Sequence, residues 1–208
     1  MIHFYFQAPN VSDWLTFIVS VLTFIVSAGT LYLGYRALNS WRNERRYNVA
    51  VNALAIANRG RYYVEALRSP AQFEGELDDK VQEIYRGKNV PEEVLLIESR
   101  RKNFADLLKE IYLNNEIALI ELGENHIIHK YLQKVIEIDN DVLKAADSYA
   151  RLKIMISHEE IESDEVKKKL IKLRRRMFQF TDDQHHKELS TLHEKLIIYR
   201  TTISSKLF

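Results

Sequence analysis

From Trp14 to Tyr35 the chain runs for 22 residues, WLTFIVSVLTFIVSAGTLYLGY, without one charged side chain. A helix needs about 20 apolar residues to cross a bilayer's hydrocarbon core. The run therefore fits a single crossing. Asp13 stands before it in the place of an N-cap. Trp14 at one end, and Tyr32, Tyr35 and Trp41 at the other, have the placing of interfacial aromatic belts. The mean hydropathy of the whole chain, −0.28, hides this segment because the remainder is polar.

The flanking charges give the expected orientation. No Lys or Arg precedes the run, whereas Arg36, Arg42, Arg45 and Arg46 follow it closely. Positive charge stays on the cytoplasmic side. The N-terminus is thus expected outside the cell (inner, plasma) membrane and the rest of the chain inside. The four arginines are then expected at anionic headgroups. A cleaved signal peptide is the competing reading, with Val26-Ser27-Ala28 as its cleavage site. Such peptides have a cationic start and a shorter apolar core, and neither is present.

The run also repeats itself. LTFIVS occurs at 15–20 and again at 22–27. Thr16, Ser20, Thr23, Ser27, Thr30 and Gly34 follow at alternating spacings of four and three, which is a heptad seam on one helix face. In lipid, apolar surface gives no net drive to associate, but small residues let two backbones approach. This face is expected to carry homo-oligomerisation. The simpler reading is a lone anchor whose hydroxyls bond back to carbonyls one turn earlier.

No proline lies between Pro9 and Pro70, so the membrane helix is expected to continue as a stalk. Val49, Ala53, Ile56, Gly60, Tyr63 and Leu67 keep the four-three spacing, and small Ala53 and Gly60 suit close packing. Residues 13–68 as one helix would measure about 80 Å, although a kink near Gly34 or Asn39–Ser40 is equally allowed. Beyond Pro70 every strong pattern has helical period. Helices are expected at about 76–86, 91–122 and 124–157, another after Ser163, and a last one from Thr181. The resulting expectation is an all-α protein with a single N-terminal transmembrane helix. Its segments are a short outer N-terminus (1–12), the span (13–36), a stalk (37–69) and a cytoplasmic antiparallel bundle of four or five helices (70–208).

Composition limits the chemistry. With no cysteine, there is no disulfide framework, thiol nucleophile or thiolate zinc site. Six glycines, two of them in the span, leave little material for a phosphate-cradling loop. Thirty basic residues against 29 acidic ones give no global pull toward nucleic acid. Two histidine groups remain. His126 and His129 lie three apart at a helix start. Asp182, His186 and His193 fall on one helical stripe, and they are the weak candidates for a metal or for acid–base work. No cofactor is expected. The densest basic run, Lys167 to Arg176, could meet nucleic acid or headgroups, but such residues ordinarily form the solvated face of an amphipathic helix.

Arg151 and His158, six residues apart, form a pattern that resembles the Arg-x(4–6)-His RNase motif of the HEPN families, which are also all-helical. That resemblance implies a membrane-tethered RNase with these two as weak catalytic candidates. Leu152 follows the arginine where those nucleases usually carry a polar residue, and 15 Arg with seven His give such a spacing by chance.

These patterns together lead to a mainly non-enzymatic expectation. The protein self-associates in the membrane, contacts lipid, and responds to an unidentified cytoplasmic protein partner. A membrane-disrupting or pore-forming defence effector is its sharpest form. The alternatives are a passive anchor for a soluble partner, and a tethered RNase or metal-dependent hydrolase.

Overall fold

The computed structural model describes residues 10–72, 75–159, 163–178 and 183–205, which include seven α-helices and no strand. The chain divides into two units, Met1–Tyr47 and Asn48–Phe208.

The first helix, α1, is Val11–Leu67, 57 residues without interruption at Gly34 or Asn39–Ser40. Its start differs from the expected N-cap. Asp13 lies in the first turn and accepts from the backbone N–H of Asn10 at 3.0 Å, the return half of a capping box. Within the first unit the side chains of α1 are exposed up to Leu38. An 18-residue window of the helix has a mean hydropathy of 2.0, and none of it is buried. Length and apolarity thus suffice for a membrane crossing, and none of the described residues covers this surface.

In the second unit α1 becomes a core helix. Ala50, Ala53, Leu54, Ala57, Gly60, Tyr63, Val64 and Leu67 are buried. Half of the segment expected as a stalk therefore packs on this chain's own helices. At Gly60 the backbone runs close to its neighbours: a Cβ there would make ordinary contact with Val135 at 3.5 Å and Ile111 at 3.6 Å.

The remaining helices are α2 (Asp79–Ile84), α3 (Glu92–Asn103), α4 (Ala105–Leu122), α5 (Ile127–Glu159), α6 (Asp164–Met177) and α7 (Gln184–Ser205). Asp78 caps α2 by accepting from the N–H groups of Lys80 and Val81. Ser163 caps α6 in the same way through Val166. Gly123, at φ +96°, ends α4. The single long helix expected over 91–122 is instead two. It breaks at Phe104, whose ring meets Tyr62 and Tyr63 edge-on at 5.9 and 5.5 Å.

Helix α5 is the hub, in contact with α3, α4, α6 and α7. It is buried on more than one side, with Ile128, Tyr131, Leu132, Val135, Ile138, Val142, Ala145 and Tyr149 all in the core. Charged groups lock α1 and α3 onto it. Asp139, fully buried, accepts two hydrogen bonds from Arg101 at 2.9 and 3.0 Å and a third from the Tyr63 hydroxyl. Arg100, 2% exposed, donates to the carbonyls of Leu67, Ser69 and Ala71 and to both oxygens of Glu76. It thereby fixes the chain as it leaves α1.

Candidate functional site

The seam lies on the exposed surface of α1. Four of its hydroxyls are bonded one turn back: Thr16 to Ser12, Ser20 to Thr16, Thr23 to Val19 and Thr30 to Val26, at 2.7–2.9 Å. Their hydrogens are thus satisfied inside the helix. What this face offers a neighbour is small size and acceptor oxygens. At Gly34 and Gly29 a Cβ would meet nothing within 4 Å, so neither glycine is needed for packing within this chain. Arg36, Arg42, Arg45 and Arg46 are all exposed, and the Arg45 guanidinium sits 5.6 Å over the Trp41 ring.

The two catalytic candidates of the sequence do not gain a site. Arg151 is exposed on α5 and pairs with Asp147 one turn away at 2.9 Å. The His158 side chain lies outside the described residues, although its backbone belongs to α5. Of the metal candidates, Asp182 also lies outside the described residues. His186 faces Arg61, Val64, Glu65 and Arg68 of the α1 end. His193 packs its ring on Tyr131 at 6.0 Å, and burial, with Arg61 nearby, holds its pKa down. Among the described residues no three His, Asp or Glu side chains come together to hold a metal ion. His126 and His129 are also packing residues: His126 meets Tyr199 edge-on at 4.8 Å, and buried His129 faces the carbonyl of Asn115.

The structure brings together a group that the sequence left scattered. A cleft of about 830 Å³ is lined by Arg68, Lys134, Asp141, Lys172, Arg175, Arg176, Asp183, Gln184, His185 and Glu188. Arg68 follows α1, Lys134 and Asp141 lie on α5, the next three cations on α6, and the rest at the start of α7. Arg176 holds Asp141 through both guanidinium nitrogens that face it, and His185 approaches the same carboxylate at 3.4 Å. Arg68, 2% exposed, pairs with Asp183. Lys134 pairs with Glu188, which also accepts from Gln184 at 2.7 Å. Burial pulls the Asp141 carboxyl upward, but the hydrogen bonds and charge of Arg176 outweigh this and leave it below the ordinary range. Two sequence signals bear on this cleft, the basic run of α6 and the acidic and histidine cluster at the start of the last helix, but the sequence did not join them. The walls of the cleft come from residues as far apart as 68 and 188, joined only by the fold.

Comparison with protein-family models, with curated proteins and with solved structures finds no match to this chain.

Proposed function

We propose that this is a single-span membrane protein, N-terminus outside and helical unit in the cytoplasm, that self-associates through its Ser/Thr face. The helical unit would receive a cytoplasmic partner or signal, and assembly of the span would be the response. Membrane disruption by the assembled spans is the sharpest form of this reading. The observation that carries it is the uncharged run of α1, exposed throughout, with its small residues in unbroken heptad phase. In lipid such a face is buried by another helix through close backbone approach. The orientation rests on the four arginines after the run and the absence of Lys or Arg before it.

The test is the mass of the purified protein in nanodiscs, beside a Ser20→Leu, Thr23→Leu, Ser27→Leu variant. The expected outcome is a defined oligomer that dissociates to monomers in the variant while membrane insertion persists. A leak assay on liposomes then decides whether the assembly conducts. A monomer in both samples overturns the reading. The back-bonded hydroxyls of the seam favour one second reading, a passive anchor. It predicts that an unrelated apolar span of the same length replaces 14–35 with no loss of function.

A further inference from the structure

The cleft between α5, α6, α7 and the end of α1 is not explained by packing. Five cationic side chains and His185 line it, against three carboxylates. Each carboxylate is already engaged: Asp183 by Arg68, Asp141 by Arg176, Glu188 by Lys134. Their charge is spent on internal pairs. Lys172 and Arg175 remain at the mouth, one turn apart on α6 and without a carboxylate partner among the described residues. Like charges at that spacing repel and destabilise a helix unless something neutralises them. Deeper in, Arg68 is 2% exposed, yet its Nε has no hydrogen-bond partner. A buried guanidinium donor left unmatched is costly. Among the described residues the cleft thus leaves two cations at its mouth without a carboxylate, and the buried Nε of Arg68 without an acceptor.

We infer that this cleft binds a multiply charged phosphate compound, with Lys172 and Arg175 capturing it at the mouth and Arg68 completing the inner end. The arginine fork suits phosphate oxygens geometrically, and lysine supplies a mobile point charge. The volume, about 830 Å³, lies in the range of small-molecule sites and is far larger than one phosphate needs. Among the described residues the only ring in the lining is that of His185, so recognition there rests on charge and hydrogen bonds rather than on stacking. The start of α7, with Gln184 and His185 in the lining, adds a favourable dipole end. This inference does not depend on how the membrane helix assembles.

The phosphates could belong to a soluble compound or to a lipid headgroup, and the experiment separates the two. Inorganic tripolyphosphate is titrated calorimetrically into the full chain held in neutral phosphatidylcholine nanodiscs, then in nanodiscs containing phosphatidylglycerol. Arg68 is too deeply placed for a clean variant. The test pair is therefore Lys172→Ala with Arg175→Ala, against Lys168→Ala with Lys169→Ala, which removes the same charge from the same helix outside the cleft. The expected result is saturable binding, tighter for tripolyphosphate than for orthophosphate. It should weaken at least about tenfold in the first variant and change little in the second. Both variants should melt like the parent chain, since all four side chains are exposed. If phosphatidylglycerol displaces tripolyphosphate from the parent chain but not from a residual site in the first variant, the ligand's source is the headgroup. Undiminished tripolyphosphate binding beside that lipid assigns a soluble source. No saturable binding, or equal weakening in both variants, overturns the inference.

Discussion

At the scale of single residues, the protein uses buried charge to fix its longest helix. Asp139 sits at 0% exposure and takes hydrogen bonds from Arg101 and Tyr63. Burial, and then the charge of Asp139, push the Tyr63 hydroxyl well above its ordinary pKa of 10.0, so it stays a donor at any physiological pH. Asp139→Asn keeps the shape but leaves the Arg101 charge without its partner. The expected loss is about 2–4 kcal/mol, since breaking one side of a buried pair costs more than the pair contributes. Tyr63→Phe should cost about 1 kcal/mol, the typical worth of one hydrogen bond. Denaturant unfolding of the full chain in mild detergent, followed by circular dichroism, measures both. A loss under about 0.5 kcal/mol for Asp139→Asn would show that water replaces the carboxylate there. Periodicity alone places Tyr63 on the buried stripe of α1. It could not show Asp139 as its partner, because one charged residue on a helix looks the same in sequence whether it faces solvent or an arginine.

At the scale of elements, caps and breakers made most helix ends legible. Ser163, Gly123 and the pair Ser69-Pro70 act where local chemistry says they should. The break between α3 and α4 was not legible, because no Gly or Pro marks it. It falls at Phe104, whose ring packs on Tyr62 and Tyr63, a contact between residues some 40 apart in sequence. The contact of α7 with α5 carries a second effect of tertiary origin. Burial lowers the pKa of His126, which packs on Tyr199, and of His193, which packs on Tyr131 and has Arg61 nearby. Both therefore hold a proton less readily in the fold than in the unfolded chain, where the ordinary histidine pKa is 6.5. As pH falls through 6.5 the unfolded chain gains protons that the folded chain refuses, so stability declines with acidification until the lowered folded pKa values are reached. The melting temperature should drop between pH 7 and pH 5 by on the order of a few degrees. His126→Asn with His193→Gln should flatten that slope, with asparagine keeping an acceptor for the Ile128 N–H. An unchanged slope in the double variant would place the sensitivity on other groups.

At the scale of the whole molecule, one helix supplies both the apolar segment and core residues, and the sequence carries a four-three spacing in each of two stretches, 16–34 and 49–67, not in phase with one another. That spacing could not distinguish a neighbour in the same chain from one in another copy. Along residues 49–67 the neighbour is this chain's own α4 and α5. Along 16–34 none of the described residues covers the seam, and the same alternation of fours and threes there is the basis for proposing a second copy. Because the protein has no cysteine, the face can be mapped one position at a time on an otherwise native chain. Ser20→Cys and Ser27→Cys lie on the seam, whereas Leu22→Cys and Ile25→Cys point away by roughly half a turn, at about 100° per residue. A disulfide needs Cα atoms within about 7 Å, a distance that only a closely packed helix pair achieves. Oxidation in native membranes should therefore give covalent dimers at the first two positions and few at the others. Dimers of equal yield at all four positions would mean random collision in the bilayer, and the Ser/Thr face would lose its claim as an interface.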